Sequence, residues 1–143
     1  MLLQVVNGAK KELLYKGINP DVDSYSAFFD NVKTTTGIRS GSTGLDSILA
    51  NAGVKTVVIS GVATDYCVGS TALDALSLNF TTFVVDDLTR GVVNVGINAM
   101  RSKIISSGGI MVQTARQAAM DSARWAEFRL TSAAVTENRS SCE

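Results

Sequence analysis

KTVVISGVATDYCVGSTALDALSLNFTTFVVDD, residues 55–87, sets two apolar runs on either side of a segment with helical spacing. KTVVISG (55–61) and TTFVVDD (81–87) are apolar through most of their length, as strands buried on both faces of a parallel sheet are. Between them Val68, Ala72, Ala75 and Leu76 recur at the interval of one helix face. Strand, helix and strand in that order predict a right-handed crossover between parallel strands. The pattern extends both ways. ELLYK (12–16) and GGIMVQT (108–114) read as further strands, and Leu45, Ile48 and Leu49 after Ser42 and Thr43 as another helix. Asn19-Pro20-Asp21 has the cap-then-proline form of a short helix start, which DSYSAFF continues. MDSARWAEFRL reads as a last helix, and residues 131–143 as a disordered tail. The predicted architecture is one three-layer α/β/α domain over residues 1–143, with a mostly parallel sheet.

Composition narrows the function classes. A chain of 143 residues, 45% apolar, can bury roughly 70% of its unfolded surface in one core. Thirteen basic residues balance thirteen acidic ones, and no run of like charges advertises nucleic acid or an anionic membrane as partner. A small neutral substrate or a protein partner fits better. MLLQVVNGAKK is too short for a secretory apolar region, and nothing later approaches the ~18 apolar residues of a membrane span, so a cytoplasmic protein is expected. Two cysteines, Cys67 and Cys142, cannot staple a fold of this size, which makes reduced thiols the default. The absence of histidine excludes a Cys-His nucleophile and a histidine-ligated zinc site built from this chain.

Open parallel sheets bind ligands beyond the carboxyl ends of their strands. Lys16 closes ELLYK, Cys67 follows KTVVISG by one loop, and Asp86 and Asp87 close TTFVV. Each alone has a plain reading: a small buried hydrophobe, a solvated charge, carboxylates that fix turns. Their convergence on one edge is what suggests chemistry. An unperturbed thiol is only a few per cent ionised at neutral pH, and a helix N-terminus adds just ~0.3–1 kcal/mol toward the thiolate. A lysine at ~4 Å contributes up to about 4 kcal/mol at an effective dielectric near 20, before desolvation is subtracted. A lysine-assisted cysteine nucleophile is therefore the chemistry left open. Asp65, two residues before Cys67, reads as a cap for backbone amides rather than a proton carrier. GIRSGSTGL (37–45) reads as a plain loop, and Met100, Met111, Met120 and Trp125 as core or interface.

KGINPDVDSYSAFFDN (16–31), STGLDSILANAGVKTVVISGVATDYCVGSTALDALSLNF (42–80) and VVDDLTRGV (84–92) closely resemble the isochorismatase-like cysteine hydrolases, and within them the nicotinamidases. The resemblance implies a Rossmann-like sheet and hydrolysis of nicotinamide to nicotinate and ammonia, in NAD salvage. It implies Cys67 as the nucleophile that passes through a thioester and Lys16 as the group that steadies its thiolate. It further implies a cis peptide bond between Val62 and Ala63, aiming the Ala63 amide with that of Cys67 at the developing oxyanion. Tyr66 would line the substrate pocket, and Tyr25, Ser26 and Phe28 would help wall it. Family members also carry a catalytic Asp at the end of an N-terminal strand, and a divalent, zinc-like metal held by an Asp and histidines. No strand precedes Lys16 here except the weak LLQVV, and no histidine matches the metal ligands, so an N-terminally incomplete domain without the metal site is expected. Family members often form homo-oligomers. A catalytically inactive isochorismatase-like module, acting through interaction or regulation, is the alternative to an amidohydrolase.

Overall fold

The computed structural model describes residues 2–5, 10–32, 35, 41–121 and 123. Its centre is a three-stranded parallel sheet of β3 (Thr56–Val62), β4 (Thr81–Arg90) and β5 (Ile110–Val112), in that order. Two further strands, β1 (Leu2–Val5) and β2 (Lys10–Leu13), pair antiparallel in a sheet of their own. The helices are α1 (Leu45–Asn51), α2 (Gly69–Ser77) and α3 (Asn94–Ser106).

The middle strand shows why the apolar runs are strands. Val84 packs with Ile59, Leu45 and Leu49 of α1, Ala72 and Ala75 of α2, and Ile104 of α3. Its neighbours Phe83 and Val85 point the other way, to Val112 and Ala118. Ala118 lies in a helical segment over 115–121, so helices cover both faces of the sheet and make three layers. Phe83, Val84 and Val85 are each no more than 1% exposed. Burial of each contributes about 1.5–3 kcal/mol.

The sheet is irregular where it meets the site. β3 and β4 run in register from Thr56↔Thr81 to Ile59↔Val84, then pairing resumes at Gly61↔Thr89 and Val62↔Arg90. β4 thus spends four residues, Val85 to Leu88, where β3 spends Ser60 alone, and the strand ends part around the segment that follows Val62.

Two expectations are corrected, and one helix is added. ELLYK is not a strand of the parallel sheet: its first two residues finish β2 in the antiparallel pair, and 14–18 are irregular, because Leu13 and Leu14 are too short an apolar run to fix the partner. Asn19-Pro20-Asp21 starts no helix. The Asn19 side chain accepts the Asp21 amide at 3.0 Å and its carbonyl accepts the Val22 amide at 3.3 Å, which closes a turn instead. α3 had no counterpart in the sequence reading, since Ile104 is its one buried residue and no apolar stripe marks it. Of MDSARWAEFRL, residues 120, 121 and 123 are helical; the remainder and the tail lie outside the described residues.

The segment 24–32 has no regular structure, yet it is fastened. Ala27 and Phe28 are core residues, and Phe28 stacks on Phe80 at 6.1 Å. Thr43 donates its hydroxyl to the Ala27 carbonyl at 2.7 Å, and its amide to Phe28 at 3.0 Å. Backbone groups without strand or helix partners are satisfied this way.

Candidate active site

β3 delivers the chain to the site through two unusual links. Gly61 has φ of +133°, a conformation that side chains disfavour, and the Val62–Ala63 peptide bond is cis. The next five residues, Thr64–Val68, form a π-helical turn, with the Ala63 carbonyl accepting the Val68 amide five residues on at 3.0 Å. α2 follows without a break. Cys67 is carried on this turn, half-buried.

Lys16 arrives from a segment 51 residues away in sequence. Its Nζ donates to the Cys67 Sγ at 3.6 Å and to the Ser24 carbonyl at 2.5 Å. Gly17, with φ of +65°, reverses the chain so that Ser24 comes back over the lysine. Lys16 and Cys67 border a cavity of about 340 Å³, together with Ile59, Ser60, Gly61, Val62, Val68 and Thr71. Its walls are apolar apart from the amine, the thiol, two hydroxyls and backbone. A volume of this size suits a small molecule.

The other residues singled out in the sequence fall at different distances from this pair. Val62 and Ala63 form the approach to the turn, and Val62 is 76% exposed. Tyr66 meets Tyr25 edge to face, with ring centroids 5.5 Å apart, beside the turn. Ser26 and Phe28 are placed in the core: Ser26 accepts the Phe28 amide at 3.1 Å, and both are buried away from the cavity lining. Asp65 binds the amides of Val92 and Val93 at 2.9 and 3.0 Å, tying the turn to the entry of α3. Desolvation works against its charge, but those two amides, with its own, outweigh it and hold the carboxyl below the usual aspartate range. Asp86 pairs with Arg101 of α3, tying β4 to that helix, and the Asp87 backbone carbonyl accepts from Arg90 at 3.0 Å; neither lines the cavity.

One contributor escaped the sequence reading. Thr71, on the first turn of α2, donates its hydroxyl to the Cys67 carbonyl at 2.7 Å and accepts the Ala27 amide at 3.0 Å. A threonine four residues after a candidate nucleophile, at the start of a helix, is the signal that was available, because its hydroxyl reaches the carbonyl four residues back.

A thiol and an amine in contact beyond the carboxyl end of β3 make an α/β site in which a cysteine can serve as nucleophile. The chain belongs to the isochorismatase domain family, whose model matches residues 4–119. The nicotinamidase of Escherichia coli (strain K12) is 46% identical over 80 residues, 56% of this chain and 35% of that protein. The structure of PnC1 from L. infantum in complex with nicotinate superposes with a TM-score of 0.61 at 33% identity, over 69% of this chain and 46% of that one. The pyrazinamidase of Pyrococcus horikoshii in complex with zinc gives a TM-score of 0.56 at 36% identity, over 66% and 46%. The matched region is thus less than half the length of these relatives. The sequence has no histidine, and among the described residues no three Cys, Asp or Glu side chains gather where a zinc ion could be held.

Proposed function

We propose that this chain carries the thiol half of a nicotinamidase-type amidohydrolase centre, acting on a small pyridine carboxamide such as nicotinamide. The observation that carries the reading is the Lys16 Nζ to Cys67 Sγ contact of 3.6 Å at the cavity wall, in a chain similar to nicotinamidases. Cys67 Sγ attacks the carboxamide carbon, forming a C–S bond while the carbonyl π electrons move to oxygen. The amides of Ala63 and Cys67 are the donors we assign to that developing charge, a role that preorganised backbone N–H groups fill well. Collapse expels the amine, which leaves as ammonia after taking the thiol's proton, and a thioester remains. Water then adds to the thioester carbon and its proton returns to sulfur, giving the carboxylic acid and free Cys67. Lys16 holds charge beside the sulfur in the attack and in its release.

No helix among the described residues is long and apolar enough to cross a membrane. With balanced charge, a cytoplasmic enzyme of NAD salvage, assembling with copies of itself, is the setting we infer.

The test is ammonia release from nicotinamide by the purified chain, beside Cys67→Ala, with acid-quenched mass spectrometry for an acyl adduct on residue 67. An adduct that depends on Cys67 is the expected result. Equal ammonia release by both proteins and no adduct would end the amidohydrolase reading.

A further inference from the structure

The Lys16–Cys67 contact joins two segments that share no element, so something must hold their separation. Lys16 Nζ is fixed at its other hydrogen bond by the Ser24 carbonyl at 2.5 Å. Three residues later the Ala27 amide donates to Thr71 Oγ1 at 3.0 Å, and the same hydroxyl donates to the Cys67 carbonyl at 2.7 Å. The links form a closed circuit: thiol, amine, Ser24 carbonyl, backbone to Ala27, Thr71 hydroxyl, Cys67 carbonyl, and back to the thiol. A threonine hydroxyl has one proton to give and lone pairs to receive, and here both capacities are used across the two segments. Thr71 is 5% exposed and lines the cavity, so water does not readily substitute for it. The opposite face of the same strap is held elsewhere, by the Thr43 hydroxyl on the Ala27 carbonyl at 2.7 Å, which leaves Thr71 as the join toward the nucleophile.

We propose that Thr71 is a positioning residue which sets the gap between the Lys16 amine and the Cys67 thiol, acting through Ala27 and Ser24. This deepens the reading of Cys67 and Lys16 as a working pair and rests on it. It does not need the substrate to be nicotinamide.

Alkylation of Cys67 by iodoacetamide reads the pair directly, in a Cys142→Ser background so that only one thiol reports. Thr71→Val keeps shape and loses the hydroxyl; Thr71→Ser keeps the hydroxyl. The expected result is an about fivefold slower reaction for Thr71→Val near pH 7, and no slowing near pH 9.5, where thiolate forms without help. Thr71→Ser stays within about twofold of the parent, and Thr71→Val adds nothing once Lys16→Met is present, since coupled residues are not additive. A folded Thr71→Val protein that alkylates at the parent rate near pH 7 overturns the proposal, as does equal slowing with and without Lys16. Should the valine variant fail to fold, Thr71→Ala is judged by the same criteria. Because alkylation needs no amide, an absence of ammonia release beside the expected alkylation pattern removes the substrate assignment and leaves the positioning role standing.

Discussion

Replacing Lys16 with methionine removes the amine from the Cys67 sulfur while keeping most of the side-chain volume. At 3.6 Å two unit charges attract by about 4.6 kcal/mol at an effective dielectric near 20, and by about 1.2 kcal/mol in water. Both residues are only half-buried beside a cavity, so solvent screening pulls the net effect toward the lower figure. About 1.4 kcal/mol, a tenfold change in rate, is the expected loss of attraction between the amine and the reacting sulfur. The assay is the pseudo-first-order rate of Cys67 alkylation near pH 7 in the Cys142→Ser background, with circular dichroism to establish folding. Lys16→Met should slow the rate about tenfold, and raising ionic strength should slow the parent but not the variant. A folded Lys16→Met protein reacting within about twofold of the parent would refute the idea that the amine acts on the sulfur.

Asp65 should make stability depend on acid: its folded pKa lies below the unfolded value, so its contribution is complete above that value and is lost as pH falls through the folded one. Asp65→Asn should flatten thermal-melt stability across that acidic window, and an unchanged slope would contradict the clamp on Val92 and Val93. Phe83→Ala empties a fully buried site between β4 and the segment over 115–121, and should cost about 3–5 kcal/mol in urea unfolding at constant m-value. Gly17→Ala meets only an ordinary 3.5 Å contact with Ser24, so its cost should come from the positive φ, about 1–2 kcal/mol, with slower Cys67 alkylation because Lys16 is re-aimed. A cost near zero would mean the turn after Lys16 relaxes without penalty.

The sheet was legible where both faces are covered. In TTFVVDD the central Phe83, Val84 and Val85 serve opposite cores in turn, so three consecutive positions are apolar and the run stands out as a strand. ELLYK misled for the complementary reason: two leucines do not encode which strand they meet, and the structure pairs Leu13 with Leu2. Asn19 was read as a cap, but its side chain found the Asp21 amide two residues on, and a local hydrogen bond decided against the helix. α3 offers nothing periodic to read, being held by Ile104 and by Asp65 acting on the amides at its entry. At the site, Cys67 was visible from its place after a buried strand, and Lys16 from its place at the end of an apolar run and from the thiol's need for a cation, although the contact spans 51 positions. Ser26 and Phe28, singled out beside Tyr25 in the same segment, are buried, with Phe28 stacked on Phe80.

The π-helical turn over Thr64–Val68 has a consequence for how this centre can change over evolutionary time. A helix winds about 100° per residue, so the one surplus residue in that turn fixes the azimuth of everything before it relative to α2. Deleting one residue ahead of Cys67 would let the turn relax to ordinary winding and re-aim the link to β3 relative to the sulfur, while α2 stayed packed where it is. The residue count of this stretch therefore constrains the centre alongside the identities of Cys67 and Asp65.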